Sequence, residues 1–191
     1  MKICVYGAAS NEIDKSFLTA GEKLGEEMGK RNHSLVFGGG ASGLMGAVAR
    51  GISEENGEIV GIAPSFFNVD GILFEKCSEM IYTDTMRERK MLMESKSDAF
   101  IVTPGGIGTF EEFFEILTLR SLDRHKKPIA ILNTNGYYDN LIEFLENGVK
   151  QNFLKSANLE LFFVSENENE ILDYLENYTD DSDKISKTRY A

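Results

Sequence analysis

The sequence predicts an α/β domain: a doubly wound, parallel sheet of about seven strands with helices on both faces. Three observations lead there. Short apolar runs, several rich in β-branched residues, alternate with longer amphipathic segments, as in a parallel sheet wound by crossover helices. Two strand-to-helix junctions are glycine-rich, which suits tight turns at the carboxyl edge of such a sheet. The 191 residues, 42% hydrophobic and 27% charged with 3 prolines, suffice for one core and fall short of the roughly 250 to 300 at which chains divide.

Strands are expected at residues 3–6, 35–37, 59–62, 80–82, 99–102, 129–132 and 161–164, each a short apolar run. Helices are expected between and after them, at 12–31, 43–54, 85–95, 109–121, 138–147 and 166–177. Ser165-Glu166-Asn167-Glu168 reads as a capping box for the last helix, because a serine hydroxyl and a glutamate three residues on can each satisfy a free backbone donor. Residues 1–178 are expected to form a single α/β domain. The polar, charge-rich 179–191 has too little apolar area to offset ordering entropy and is expected to be a loose tail.

Charge narrows the partners. With 20 basic and 31 acidic residues the net charge is −11, which opposes binding to nucleic acid polymers or anionic membranes. An anionic small molecule remains compatible, since local donors in a cleft can hold one phosphate. Cys4 and Cys77 stand far apart without metal-ligand spacing, so buried thiols are expected, with no disulfide framework or zinc site. No signal peptide or membrane span is evident, and the expected location is cytoplasmic. His33 and His125 have polar neighbours and are expected at the surface.

The first glycine turn, Gly38-Gly39-Gly40-Ala41-Ser42-Gly43, follows a strand and opens a helix. It is either a turn that lets a phosphate approach the backbone or a tight junction of small residues. It also fits a Rossmann dinucleotide fingerprint, but Ile59-Val60-Gly61-Ile62-Ala63-Pro64 ends without the acidic residue that would hold a ribose. The second turn, Thr103-Pro104-Gly105-Gly106-Ile107-Gly108-Thr109, follows the most apolar strand. Side-chain-free backbone, Thr109 as a cap and the positive end of the next helix would together cradle an anion. Glu111 and Glu112 are either complements of the helix dipole or functional carboxylates. Arg87, Arg89 and Lys90 are either a solvated face or a phosphate site, with Arg89 capable of bidentate contact.

Pro104-Gly105-Gly106-Ile107-Gly108-Thr109-Phe110-Glu111-Glu112 resembles the Pro-Gly-Gly-x-Gly-Thr-x-x-Glu signature of the Lonely Guy family, cytokinin riboside 5′-monophosphate phosphoribohydrolases once labelled lysine decarboxylases. The glycine turn through Gly46, the cluster 86–90 and Asn135-Gly136-Tyr137-Tyr138-Asp139 follow in the family's order. The resemblance implies a Rossmann-like fold and hydrolysis of the N-glycosidic bond of AMP or an N6-substituted AMP, giving free base and ribose 5-phosphate. It implies Arg89 and Glu112 as catalytic, and substrate contacts at Gly39, Gly40, Ser42, Met86, Lys90, Pro104, Gly105, Gly106, Gly108, Thr109 and Glu111. No cofactor or metal is expected. A homodimer with shared active sites is implied, and Met86, Met91, Leu92 and Met93 spread apolar surface beyond one helix stripe in keeping with it. One departure is Arg87, where the family usually has histidine.

Chemistry agrees with that implication. A carboxylate at Glu112 would stabilise the positive charge that develops on the ribose, while a bound phosphate positions the sugar. Arg89 would orient the phosphate or polarise the leaving base. The sequence singles out no Ser/His/Asp triad, and no Schiff-base lysine for a pyridoxal phosphate decarboxylase. A non-catalytic nucleotide-binding or cofactor-carrier protein is the alternative on the same fold.

Overall fold

Strands buried on both faces lack polar alternation, and the first one shows why. In β1 (Lys2–Tyr6), Ile3 and Val5 enter one apolar cluster while Cys4 and Tyr6 enter another on the opposite face. The computed structural model describes residues 1–180. The other strands are β2 (Ser34–Phe37), β3 (Ile59–Pro64), β4 (Glu79–Thr83), β5 (Ala99–Val102), β6 (Ile129–Leu132) and β7 (Phe163–Ser165). All pair in parallel, in the order β4-β3-β2-β1-β5-β6-β7. The expected seven-stranded doubly wound sheet is therefore present.

Helices α1 (Lys15–Lys30), α2 (Gly43–Glu54) and α6 (Glu168–Glu176) supply one cluster; α3 (Met86–Ser95), α4 (Ile107–Ser121) and α5 (Asp139–Lys150) supply the other. The chain winds outward from β1 to β4 and then restarts at β5 on β1's other side. This reversal opens a crevice at the carboxyl ends of β1 and β5.

Several local expectations need correction. Helix α1 starts at Lys15 because Asp14, not an earlier residue, caps it by accepting from Ser16 N at 2.9 Å. Helix α6 is capped by Asn167, which accepts from Asn169 N and Glu170 N. Ser165 instead accepts from Asn167 N and donates to Glu170. Leu161 closes a 3-10 turn, so β7 begins two residues later. Helix α4 starts at Ile107 with Gly106 as its cap, which puts Thr109 inside the first turn and not at the cap.

Both histidines are buried, against expectation. His33 Nε2 meets Glu176 at 2.8 Å, and His125 Nε2 donates to Ile116 O at 2.9 Å, so each ring finds polar partners inside although its sequence neighbours are polar. Cys4 is buried, while Cys77 is half-buried. The expected loose tail lies outside the described residues apart from Thr179 and Asp180, the latter paired with Arg120 and Lys126.

Candidate active site

Arg89 is placed by local sequence. Thr85 and Glu88 form a reciprocal capping box at the start of α3, which starts the helix so that Arg89 falls one turn in, facing the sheet. Its Nε donates to Ile62 O in the second half of β3, 3.1 Å, and its Nη1 to Glu112 Oε1 on α4, 3.1 Å. Arg89 and Glu112 are each 8% exposed, so this is a nearly dry ion pair. Burial pushes the Glu112 carboxyl up to about 7; the Arg89 guanidinium pulls it down, and the Glu111 charge adds to the rise.

The pair lies in the wall of a cavity of about 430 Å³ at the crevice. The loop Gly7-Ala8-Ala9 after β1, Gly38 and Gly40 after β2, and the first turn of α4 complete the polar side. Met45, Phe67, Ile72, Leu73 and Met86 make an apolar side. A second cavity of about 450 Å³ opens between α2 and residues 71–76, sharing Leu73 as a wall. Its arginine, Arg50, is held by Glu22 and Ala41 O. The first cavity, unlike the second, has the Arg89–Glu112 ion pair in its wall.

The two glycine turns do different jobs. At α2 the first N–H groups are satisfied internally: Gly43 N donates to Asn11 Oδ1 at 2.7 Å, and Leu44 N and Met45 N donate to Ala8 O. Gly38 lacks a side chain for a steric reason, since a Cβ there would lie 2.1 Å from Arg89 Nη2. This turn therefore seats the arginine. At α4, by contrast, the N–H groups of Gly106, Ile107, Gly108 and Thr109 meet no acceptor among the described residues. A Cβ on Gly106 or Gly108 would touch nothing within 4 Å. The fold does not require glycine at either position, and their bareness leaves uncovered donors at the positive end of a 15-residue helix.

Of the positions singled out from sequence, Gly40, Met86, Arg89, Gly106, Gly108, Thr109 and Glu112 line the cavity. Gly39, Ser42, Lys90, Pro104, Gly105 and Glu111 do not. Lys90 turns away to pair with Glu111 and Glu115, which ties α3 to α4. Gly38, read as part of the first glycine turn, was not picked as a contact, nor was the apolar wall beyond Met86, and Gly7, Ala8 and Ala9 were missed altogether. The small-residue run after β1 was their one available signal, and it acquires meaning once β1 is known to border β5.

Among the described residues no group of three or more His, Cys, Asp or Glu side chains is placed to hold a metal ion, and no helix is long and apolar enough to cross a membrane. The family model described as "Possible lysine decarboxylase" matches residues 45–175. A probable cytokinin riboside 5′-monophosphate phosphoribohydrolase of Oryza sativa subsp. japonica is 35% identical over 184 residues, 96% of this chain and 74% of that protein. A cytokinin riboside 5′-monophosphate phosphoribohydrolase of Arabidopsis thaliana is 35% identical over 177 residues, 93% and 83%.

The chain belongs to the Lonely Guy family.

The family's glycine signature here spans the β5–α4 junction, with its last glutamate, Glu112, on the cavity wall. Solved structures match in fold as well. The Moco carrier protein from Chlamydomonas reinhardtii superposes with a TM-score of 0.67 at 20% identity, covering 92% of this chain and 94% of that one. The molybdenum cofactor binding protein from Rippkaea orientalis gives 0.66 at 19%, covering 92% and 93%. The older decarboxylase description fits this Lonely Guy cavity poorly: a pyridoxal phosphate enzyme needs a lysine to form the Schiff base, and no lysine among the described residues lines it.

Proposed function

We propose that the protein is a nucleoside 5′-monophosphate phosphoribohydrolase that cleaves the N-glycosidic bond of AMP or an N6-substituted AMP. The observation that carries this reading is the buried Arg89–Glu112 pair in the same cavity wall as the uncovered N–H groups of α4. The first turn of α4 binds the 5′-phosphate, where unpaired donors and the helix dipole favour an anion. Ribose then lies against Glu112. As the C–N bond lengthens, positive charge grows on the sugar, and the Glu112 carboxylate stabilises it in a site that is largely dry. The ionised Glu112 also accepts the proton of the attacking water. Arg89 holds the carboxylate in place and offers its free edge to the departing base or to the phosphate.

The apolar wall of Phe67, Ile72 and Leu73 suits a base carrying an N6 alkyl group. The protein acts as a homodimer: in the single chain Met86 and Ile107 beside the cavity, and Met91 on α3, stay exposed, an apolar rim that a second copy would cover. The cofactor-carrier alternative draws on structural neighbours that show fold alone, and it gives no role to a carboxylate that would repel an anionic cargo.

Chromatography of products from a panel of nucleoside 5′-monophosphates tests the reading. Free adenine or N6-alkyl adenine and ribose 5-phosphate are expected in equal amounts. Binding with return of intact nucleotide would favour the carrier.

A further inference from the structure

One motif has no part in the chemistry above: Asn135-Gly136-Tyr137-Tyr138-Asp139, after β6. It makes a tight turn with Asn135 and Gly136 both at positive φ (55° and 66°). Asn133 locks the turn from its base, accepting from Tyr138 N at 2.7 Å and donating to Asp139 Oδ1 at 2.7 Å. Because β6 lies beside β5, the turn delivers two adjacent hydroxyls to the β5–α4 loop. Tyr138 OH donates to Thr103 O at 2.8 Å, and Tyr137 OH donates to Gly105 O at 2.6 Å. Between them, Pro104 O accepts from Ala8 N at 3.0 Å. Three consecutive carbonyls of the loop are thus held from outside it.

A trans peptide is planar, and its C=O and N–H point in opposite directions. Fixing Gly105 O on the Tyr137 hydroxyl therefore turns the N–H of Gly106 the other way, and Gly106 lines the cavity. We infer that Tyr137 is a positioning residue for phosphate recognition: its hydroxyl pins the Gly105–Gly106 peptide so that the Gly106 N–H faces the substrate phosphate. This rests on the proposed function in taking the ligand to be a 5′-phosphate. Gly105 and Gly106 need such a restraint, because glycine peptides otherwise rotate more freely than any others. The device is local to the phosphate, and Tyr137 itself stays outside the cavity lining.

Tyr137→Phe isolates the hydroxyl. The ring keeps its edge contacts with Phe17 and Tyr138, and the residue is 42% exposed, so the fold should hold, with an unchanged melting temperature as the check. Affinities with the Tyr137 side chain intact and as Tyr137→Phe would be compared for AMP, ribose 5-phosphate and adenosine, by calorimetry in the Glu112→Gln background so that the nucleotide is not turned over during the titration. Both phosphate ligands should weaken by about tenfold, the scale of one hydrogen bond to a charged oxygen, with adenosine unchanged and kcat at saturating AMP nearly kept. Equal affinity of both proteins for AMP and ribose 5-phosphate would overturn the assignment, and so would an equal loss for adenosine. If wild type binds AMP but releases no base, the hydrolase reading fails while the affinity ratios still decide the role of Tyr137.

Discussion

Glu112→Gln should lower turnover of the nucleotide by about 100-fold or more, the usual effect of removing one group aimed at developing charge. Nucleotide affinity should hold or improve, because the neutral amide keeps the shape and no longer repels the phosphate. Glu111→Gln should matter little: its neighbour's side chain is buried, whereas Glu111 is largely exposed and paired with Lys90. In the proposed mechanism the ionised form of Glu112 is the active one, so with its carboxyl at about 7 kcat/KM should fall as pH drops below neutrality, and Glu112→Gln should lose that limb. The same shift bears on stability. A carboxyl raised by folding stabilises the native state below its ordinary value of 4.5 and loses that contribution as pH rises through about 7. Steady-state kinetics and calorimetry across pH decide the matter, and near-wild-type turnover would reduce Glu112 to a complement of the α4 dipole.

Arg89→Lys should be nearly as damaging, despite retained charge. The guanidinium reaches Ile62 O through Nε and Glu112 through Nη1 at once, and an ammonium cannot span both. The lost span would also leave space against Gly38, which is bare because Arg89 fills its side. Arg87→His should be mild, since Arg87 is exposed on the outer face of α3. Kinetics of the two variants, with circular dichroism to confirm folding, would fix the register of the helix. Activity retained in Arg89→Lys and lost in Arg87→His would put the wrong face of α3 in the cavity.

Much of the frame was legible because parallel strands buried on both faces read as unbroken apolar runs, as in Ala99-Phe100-Ile101-Val102. Strand order was not, since nothing local to β1 says that it borders β5. The family resemblance pointed to Arg89 and Glu112, whereas the residues alone could not choose between Glu111 and Glu112. Adjacent helix positions point about 100° apart, and which one turns inward depends on how α4 docks on the sheet. Gly38 illustrates a longer-range limit: its bareness answers to an arginine from a helix far along the chain. Thr109 was misread as a cap for the opposite reason. The actual cap, Gly106, has no side chain to offer, and the donors it leaves free are the ones the proposed site uses.

The central claim is that phosphate held at the start of α4 positions a ribose for cleavage beside Glu112. The most direct test is the ratio of kcat/KM for AMP to that for adenosine, measured on the wild-type protein by release of adenine. Two hydrogen bonds to a charged phosphate, each worth about 1.5 kcal/mol or more, predict a ratio of at least about 100. Equal cleavage of nucleotide and nucleoside would contradict the account.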